Sequence, residues 1–565
     1  MTDLCNSPAT KARAGLRGDW RLILLMGGFA LCYATVGLSM AHMVATEPSE
    51  PQLARSDSAG LPVRGEITDR NGQLLAANLP AWSLYAHPRD IKDPVTVSRQ
   101  LVDIFPELDR EGVLKKLTDG RRFVWIKRPI GPREKQAVHD LGTPGLHFGR
   151  REMRIYPAGR TAAHVVGGVK AAREDVRFAE LTGSGGIEKY FDDRLRDPQQ
   201  VAEPLMLSID MRVQQAIRQE LAEGMARLTA KGASAVLMEV ATGRITGMVS
   251  LPDFNPNRRP ERHLGPAELS PRFNRAALGR YELGSTFKPL TAAMALETGV
   301  AHARTMLKTP SRIRYGRHSI GDSHRMPKEM SLEDIIVKSS NVGTAKLSMM
   351  VGTRRFKDYL NKLGFFDPSG LELAEAARAQ PLLPPRWTDL SSMTISYGHG
   401  LAASPVHLAA AYATLANNGR TIHPTLTMEP VVPGPRVFTE RTAREMLRIL
   451  REVVERGTAK RANVPGYEVG GKTGTAEKFR PGGGYYSDRV ISTFASVFPT
   501  SSPRYVLIVS LDEPTDRSGR KPVRSAGRTA VPVAAQVIRR IAPLLGMRPQ
   551  LPEEEVVSGL RTSLE

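Results

Sequence analysis

The chain has 565 residues, 41% of them hydrophobic, so it is too long for one compact domain and too apolar for a disordered chain; we expect two or three folded units. Its formal charge of +21 and pI near 10.1 predict attraction to a polyanion. The basic residues are dispersed among acids and only 6% of residues are aromatic, so we do not expect nucleic acid as a partner. A phospholipid surface or a cell-wall polymer suits the charge as well.

A charge-free segment near the N-terminus predicts one membrane span. Residues Leu22 to Ala45 contain no Asp, Glu, Lys or Arg, and a helix of that length crosses about 30 Å of hydrocarbon. Basic residues precede this segment and acidic residues follow it: Lys11, Arg13, Arg17 and Arg21, then Glu47 and Glu50. By the positive-inside rule, residues 1–21 are a cytosolic tail, 22–45 an anchor, and the rest is exported. A cleaved signal peptide is the alternative, but signal cores span only about 7 to 15 residues, so an uncleaved anchor is favoured.

The two cysteines agree with this topology. Cys5 lies in the predicted tail and Cys32 in the predicted span, so the exported part contains none. We therefore expect no disulfide and no thiolate metal site, and the sequence contains no HExxH motif. Neither a metal nor a cofactor is expected.

Residues 46–61 are rich in Pro, Ser and acids without periodicity, which predicts a linker. A first unit is predicted over residues 62–205. It opens with alternating polar and apolar residues from Arg64 to Ala76 around Asn71-Gly72, a two-residue turn typical of a β-hairpin. Tyr156-Pro157 and the glycine cluster Gly183 to Gly186 are turn signals later in this mixed α+β unit.

A second unit is predicted over residues 206–546. Apolar residues recur every four positions from Val213 to Met225, which indicates a helix with one apolar face. Further elements follow: strands at Ala233 to Val240, Arg244 to Ser250, Ile491 to Phe498 and Tyr505 to Leu511, then a helix from Val531 to Leu545. Strands at both ends with helices between them predict one sheet built from distant segments and covered by helices. Residues 547–565 are expected to be a disordered tail.

The segment Gly284-Ser285-Thr-Phe-Lys288 opens an apolar helical run. Ser285 would lie at the helix N-terminus with Lys288 one turn later. A neutral amine beside the hydroxyl can take its proton, and the helix dipole favours the oxyanion that develops. For Lys288 to be neutral, its pKa must fall from about 10.4 through burial or a nearby cation. The alternative is an ordinary N-cap serine with a solvated lysine.

Two more elements carry suitable chemistry. Ser339-Ser340-Asn341 supplies a second hydroxyl, able to pass a proton, and an amide able to hold a peptide group; the alternative is a polar loop. The segment Lys472-Thr473-Gly474-Thr475 is predicted to be an edge strand. There Gly474 lets a ligand lie close to the backbone and Thr475 can bind a carboxylate; the alternative is a glycine turn.

The segment Gly466 to Thr473 also matches the P-loop pattern. A P-loop must follow a buried strand and open a helix whose N-terminus holds phosphate. Lys460 to Pro465 is no buried strand, and the glycines after Arg480 end any helix soon after Thr473. Nucleotide binding is therefore rejected.

Together, SxxK, SxN and KTG in this order form the motif set of β-lactamases and penicillin-binding proteins. The chain further resembles class B penicillin-binding proteins, and within them the division-specific transpeptidases more than the elongation paralogues. This resemblance covers nearly everything from the anchor to about residue 545. It rests on Arg64 to Gly72, Tyr156-Pro157, Gly186 to Glu188 and Tyr397-Gly-His-Gly400. It implies an α+β fold: an antiparallel transpeptidase sheet covered by helices, an elongated N-terminal pedestal and dimerisation domain, and one transmembrane helix.

The resemblance also implies roles for the motif residues. Ser285 would be acylated by the D-alanyl-D-alanine end of a stem peptide, or by a β-lactam, with Lys288 as base. Ser339 would relay a proton and Asn341 would anchor substrate. Lys472 would supply positive charge, while Thr473 and Thr475 beside Gly474 would bind the substrate carboxylate. The backbone N–H groups of Ser285 and Thr475 would form the oxyanion hole. Ser340 departs from the Asp that many β-lactamases carry, at a position that varies within the penicillin-binding class.

Two further alternatives stay open. A β-lactamase is less favoured, because no Glu-x-x-Leu-Asn element lies between Asn341 and Lys472 to speed deacylation. A membrane-anchored, non-catalytic scaffold of a wall-synthesis complex is the other. The implied partners are lipid-linked peptidoglycan precursor strands and stem peptides, β-lactam antibiotics, the membrane, and division proteins including a membrane glycosyltransferase. The implied location is the inner membrane, single-pass, with a periplasmic catalytic domain.

Overall fold

The computed structural model describes residues 12–45, 64–174, 179–261, 263–430, 432–480 and 482–550. Its α-helices are α1 Ala12–Ala45, α2 Pro94–Ile104, α3 Arg110–Thr118, α4 Pro132–His139, α5 Ala163–Val166, α6 Gly186–Tyr190, α7 Asp192–Arg196, α8 Met211–Arg227, α9 Arg275–Leu278, α10 Lys288–Glu297, α11 Leu332–Val337, α12 Asn341–Val351, α13 Thr353–Lys362, α14 Asp389–Ser396, α15 Pro405–Ala416, α16 Glu440–Glu455 and α17 Ala530–Leu544.

Its strands are β1 Ile67–Thr68, β2 Leu74–Ala86, β3 Val124–Ile130, β4 Leu146–Ile155, β5 Gly168–Glu174, β6 Ala179–Gly185, β7 Leu205–Met206, β8 Gly232–Glu239, β9 Ile245–Leu251, β10 Tyr281–Glu282, β11 Met306–Lys308, β12 Arg312–Tyr315, β13 His318–Gly321, β14 Glu329–Ser331, β15 Ala402–Ala403, β16 Gly470–Phe479, β17 Tyr485–Phe498 and β18 Tyr505–Asp512.

Helix α1 contains the predicted membrane span. The stretch Ile23–Ala41 is apolar and long enough to cross a bilayer, and its side chains are exposed. The helix begins at Ala12, ten residues before the predicted start at Leu22, because no proline interrupts residues 12–22. The predicted linker and the residues after 550 lie outside the described residues. Of the predicted disordered tail, Met547 is buried and the Gln550 N–H donates to the Gly466 carbonyl over 2.9 Å.

A smaller compact unit is built on Pro80–Met153. The second half of β2 pairs antiparallel with β3 and also pairs with β4. Helices α2 and α3 begin at aspartate N-caps, Asp93 and Asp109, whose carboxylates accept backbone N–H groups of the first turn. Apolar residues of these strands and helices form a separate core that includes Leu84, Leu101 and Phe105.

The larger unit contains Arg64–Leu79, Arg154–Arg173 and the chain from Glu180 onward. Part of the predicted first domain therefore belongs to it. The predicted hairpin forms around Asn71-Gly72, since β1 pairs antiparallel with the start of β2. Its loop is longer than the predicted two-residue turn, because residues 69–73 separate the strands and only Gly72, with φ +81°, takes the left-handed conformation that favours glycine. The Asp69 carboxylate accepts the N–H groups of Asn71 and Gln73 and holds this turn.

A buried ion cluster in the larger unit accounts for three segments that carried the family resemblance. Glu188 accepts hydrogen bonds from the Nε atoms of Arg64 at 2.6 Å and Arg154 at 2.7 Å, and from the Tyr156 hydroxyl at 3.3 Å. Arg64 also donates to Asp192 over 2.7 Å. Burial and the Glu188 charge raise the pKa of Tyr156. These motif residues thus join distant segments of the fold.

The centre of the larger unit is a five-stranded antiparallel sheet of order β16-β17-β18-β8-β9. Strands β18 and β8 are buried along nearly their whole length, which requires cover on both faces. Helices α8 and α17 pack on each other and on the sheet, and α15 packs against its central strands. The predicted sheet, built from distant segments and covered by helices, is confirmed.

Strand β16 lies at the edge of this sheet and carries Lys472. The P-loop reading requires a helix after Lys472, but the chain continues as a strand to Phe479. Rejection of nucleotide binding therefore agrees with the fold.

Candidate active site

Three segments meet at Ser285. Ser285 lies in a 3-10 turn, Gly284–Phe287, and α10 begins only at Lys288. Ser285 therefore lies in a tighter turn just before α10, not at the predicted α-helix N-terminus. Pro289 lies in the first turn of α10, where a backbone N–H has no intrahelical partner, so its missing N–H costs the helix no hydrogen bond. Strand β16 and helix α12 supply the other two segments.

Glycines allow the backbone around Ser285 to close. A Cβ atom on Gly474 would lie 2.5 Å from the Leu283 carbonyl oxygen and 2.9 Å from the Thr286 methyl. A Cβ on Gly398 would collide with the Gly284 carbonyl. Gly284 itself has φ +54°, and a Cβ there would lie 3.3 Å from the Thr475 nitrogen. The Thr475 N–H is therefore close to the Ser285 turn, as an oxyanion hole made from both requires.

Lys288 is fully buried and points toward α12. Its Nζ donates to the Ser339 carbonyl at 2.5 Å, Ser339 Oγ at 3.1 Å and Asn341 Oδ1 at 2.7 Å. Burial, and next the charge of Lys472, hold the Lys288 pKa well below its ordinary value. Among the described residues, Ser285 Oγ makes no hydrogen bond to this amine, so one of the two side chains must move before a direct proton transfer.

Lys472 approaches the same hydroxyl from β16. Its Nζ donates to Ser339 Oγ over 2.9 Å, and burial lowers its pKa to about 7. Ser339 holds φ +67°, a strained conformation for a residue with a Cβ. The strain places one hydroxyl between two buried amines. The structure thus brings together Ser339, Asn341 and both lysines predicted from the motifs.

The two threonines of the β16 motif differ in their surroundings. Thr475 is exposed, and its Oγ1 accepts the Ala526 N–H over 3.0 Å, which leaves its own proton available to donate to a ligand. Thr473 is buried and its hydroxyl lies 2.7 Å from that of Thr458. Both belong to the same face of the strand.

Asp322 is a site residue that the sequence analysis missed. Its carboxylate accepts the Ser340 hydroxyl over 2.9 Å, the Asn341 N–H, and the Val342 N–H over 3.2 Å. Ser340 in turn caps α12 through the Gly343 N–H. Asp322 follows the β12–β13 hairpin and fixes the turn that carries Ser339. A single Asp without a motif gave no usable signal.

Glu282 is the second missed residue. Its Oε1 accepts the Tyr485 hydroxyl at 2.8 Å and the Gly400 N–H at 2.7 Å. His399 Nδ1 lies 3.8 Å from its Oε2, and burial lowers the His399 pKa. Burial also raises the Tyr397 pKa to about 12. Glu282 therefore ties the Tyr397–Gly400 motif to the segment before Ser285.

Comparison with known proteins agrees with this geometry. Residues 233–539 match the penicillin binding protein transpeptidase domain, and residues 60–203 match the penicillin-binding protein dimerisation domain. The chain belongs to the penicillin-binding protein transpeptidase family. The resemblance to class B members drawn from the motifs is confirmed.

Two relatives and one solved structure illustrate the similarity. The chain is 37% identical to a probable peptidoglycan D,D-transpeptidase FtsI of Caulobacter vibrioides, over 94% of this chain and 89% of the relative. It is 30% identical to the peptidoglycan D,D-transpeptidase FtsI of Escherichia coli K12, over 88% of each. The crystal structure of penicillin binding protein 3 from Mycobacterium tuberculosis with aztreonam matches with a TM-score of 0.64 at 25% identity, covering 87% of this chain and 98% of that one.

Proposed function

We propose that the chain is a peptidoglycan D,D-transpeptidase that cross-links stem peptides through a Ser285 acyl-enzyme during septal wall synthesis, and that β-lactams acylate the same serine. The observation that carries this proposal is the buried hydrogen-bonded row Lys288–Ser339–Lys472 beside the Ser285 turn. The names of the FtsI relatives from Caulobacter vibrioides and Escherichia coli support the same reaction.

In the first step, Ser285 Oγ attacks the carbonyl carbon between the two terminal D-alanines, and neutral Lys288 takes the hydroxyl proton. The oxygen that becomes negative is held by the N–H groups of Ser285 and Thr475. The C–N bond then breaks as a proton passes through Ser339 to the leaving amine, which departs as D-alanine. Contacts of both lysines with the Ser339 hydroxyl support this relay.

The free hydroxyl proton of Thr475 suits the terminal carboxylate of the donor peptide, and Thr473 and Lys472 add polar and charged groups behind it. Asn341 anchors the peptide near Lys288. A β-lactam carries a carboxylate on a strained amide and fits the same groups.

In the second step, the amine of a neighbouring stem peptide attacks the acyl-enzyme carbonyl. The new amide bond forms as the ester bond to Ser285 breaks, and the amine proton returns through Lys288 to Ser285 Oγ. Transfer to an amine, in a sequence with no Glu-x-x-Leu-Asn element between Asn341 and Lys472 to activate water, distinguishes this proposal from a β-lactamase.

The proposed membrane topology follows from the charge pattern around helix α1. Basic residues before Ile23–Ala41 favour a cytoplasmic N-terminus and a periplasmic catalytic unit, anchored in the inner membrane by one span. Lipid-linked precursor strands, division proteins and a membrane glycosyltransferase are the proposed partners.

Labelling with a fluorescent penicillin tests the proposal. We expect covalent label on the wild-type chain and on the matched serine control Ser270→Ala, and none on Ser285→Ala. Label lasting many minutes supports a transferase, whereas rapid release would indicate a β-lactamase, and an unlabelled but folded wild type would indicate a scaffold. Depletion in cells then separates division from elongation, because loss of a division enzyme gives filaments and loss of an elongation enzyme gives round cells.

A further inference from the structure

Three side chains of the smaller unit lie together in an arrangement suited to a metal ion. His87, Asp90 and His147 each offer one ligand atom, and these atoms lie within 4.8 Å of one another. All three belong to Pro80–Met153. The expectation that the chain binds no metal rested on missing cysteines and a missing HExxH motif, and this cluster uses neither.

The local backbone explains why the three residues meet. His87 precedes a 3-10 turn, Pro88–Asp90, in which the Asp90 N–H donates to the His87 carbonyl over 3.0 Å. The His87 N–H donates to the Gly145 carbonyl over 2.8 Å, which fixes this turn against the start of β4. Gly145 has φ +85°, and a Cβ there would lie 3.0 Å from Asp90 Cβ. This close approach brings His147, two residues after Gly145, beside the 3-10 turn Pro88–Asp90.

The His87 ring is held without the hydrogen bonds that burial normally requires. His87 is 7% exposed, and its Nε2 is buried with no hydrogen-bond partner among the described residues. Its Nδ1 lies 3.7 Å from Asp90 Oδ2, which is too long for a hydrogen bond. Two ligands on one tetrahedral Zn²⁺, at bonds of about 2.0–2.1 Å, are separated by about 3.3 Å. The His87 Nδ1–Asp90 spacing is therefore close to that of two ligands of one ion, with Nδ1 as the ligand and Nε2 facing away from it. The three ligand atoms together lie within 4.8 Å, so the side chains must close by up to about 1.5 Å around a bound ion.

Aromatic rings hold the two imidazoles. The His87 and His147 ring centroids are 4.6 Å apart, and Tyr85 stacks on His147 at 5.4 Å. Phe123 lies 5.1 Å from Tyr85 and 6.3 Å from His87. Rings packed in this way keep both imidazoles in place before any ion arrives, while the Asp90 side chain, 52% exposed, leaves a route from solvent.

We propose that His87, Asp90 and His147 bind one Zn²⁺ ion, with water completing the coordination. Two imidazoles and a carboxylate form a ligand set that suits zinc and is too rich in nitrogen for Mg²⁺ or Ca²⁺. The bound ion joins the 3-10 turn to the start of β4 and stabilises this unit by an amount that grows with the logarithm of free zinc above the Kd, since it binds the folded form. The stability of the smaller unit would then depend on zinc, while the reaction at Ser285 needs no metal.

Equilibrium dialysis of the full chain in detergent, without a histidine tag and stripped with chelator, tests the site with Zn²⁺ alone. We expect one tightly held Zn²⁺ per wild-type chain. The variants His147→Ala and Asp90→Asn should weaken that affinity by at least about tenfold, since each removes one of three protein ligands. Matched controls in the same unit, the exposed His139→Ala and Asp103→Asn, should bind as the wild type does.

Two further measurements keep the result unambiguous. Substitution by Co²⁺ should give the d–d absorption of a low-coordinate site in the wild type, and it should be lost in His147→Ala. Limited proteolysis of every variant reports that the smaller unit, Pro80–Met153, is folded, and fluorescent penicillin labelling reports the same for the unit that holds Ser285. A folded wild type that holds no stoichiometric Zn²⁺, or that loses none of its affinity in a folded His147→Ala, overturns the proposal.

Discussion

Ser339 is the residue on which the chemistry of the site converges. Its hydroxyl accepts hydrogen bonds from two fully buried amines, those of Lys288 and Lys472. Burial disfavours a charge on either lysine, and a charge on Lys472 further disfavours a proton on Lys288. The neutral form is therefore favoured at Lys288, where a base is needed, and the remaining positive charge belongs to Lys472.

This arrangement predicts a bell-shaped pH profile for acylation by a β-lactam, measured by stopped flow. On the acid side Lys288 is protonated and cannot accept the Ser285 proton, so the rate rises with pH as its lowered pKa is passed. On the alkaline side Lys472 loses its charge above a pKa of about 7, and carboxylate binding weakens. Lys288→Arg, which stays protonated, should lose about 10²–10⁴-fold of the rate.

Lys472→Arg is the matched variant for the alkaline limb. A guanidinium keeps its charge throughout this range, so the decline above neutral pH should disappear while part of the acylation remains. A wild-type rate that stays constant from acid to alkaline pH would contradict the assignment of both lysines.

The sequence predicts some of these residues and not others. Ser285, Lys288, Ser339, Asn341 and Lys472 belong to local patterns, so residue type and spacing identify them. Asp322 and Glu282 act through tertiary position alone: Asp322 bonds across to the start of α12, and Glu282 bonds to Tyr485 and Gly400. A lone acid on a loop has no periodicity or motif from which such a contact can be predicted.

At the scale of elements, the site depends on how closely β16 lies against the 3-10 turn Gly284–Phe287. Gly474 faces the Leu283 carbonyl and Thr286 with no room for a methyl group, and Gly398 faces Gly284 in the same way. Backbone atoms cannot move aside as a flexible side chain can, so any side chain at these positions must push the strand away from Ser285.

We therefore predict that Gly474→Ala lowers the rate of β-lactam acylation by about a hundredfold or more, because a shift near 1 Å suffices for that loss. Gly131→Ala is the matched control, since a Cβ there meets only Glu134 Oε2 at 3.7 Å and its φ is −82°. The loss should appear in the stopped-flow acylation rate with the thermal unfolding midpoint changed far less. Unaltered acylation in Gly474→Ala would contradict the close approach.

Long helices and strands were predictable because buried apolar positions recur at a regular spacing along them. The alternating and continuous apolar runs of β8, β9, β17 and β18 and the four-residue period of α8 each extend over enough residues to be recognised. The strands β10 and β15 have only two residues each, which is too short for such a pattern. The hairpin β12–β13 is mostly exposed, so no apolar pattern marks it. The 3-10 turn at Ser285 was missed because SxxK spacing fits an α-helix and a tighter turn equally.

At the scale of the whole molecule, the larger unit is joined internally by the buried cluster around Glu188. The Glu188 carboxylate accepts hydrogen bonds from the side chains of Arg64 and Arg154, which are only 3% and 6% exposed. Removing its charge leaves the buried Arg154 guanidinium without an acidic partner among the described residues, while Arg64 keeps only Asp192.

Glu188→Gln should accordingly lower the free energy of unfolding by about 3–5 kcal/mol. Denaturant titration, followed by the loss of fluorescent penicillin labelling, measures the midpoint for the unit that holds both the cluster and Ser285. Glu220→Gln, which removes a surface pair with Arg540, should cost at most about 1 kcal/mol. Equal midpoints for the two variants would show that the cluster contributes little.

Strand β18 pairs with β8 along its whole length, from Tyr505 opposite Glu239 to Asp512 opposite Gly232. The central pairing of the sheet therefore joins residues that emerge from the ribosome far apart in time. Until synthesis has passed Asp512, β8 keeps one open edge and β16 can pair only with β17, so we expect Ser285 to be unreactive in shorter chains. A nascent protein of this kind matures in a single late event and is exposed to proteases until then.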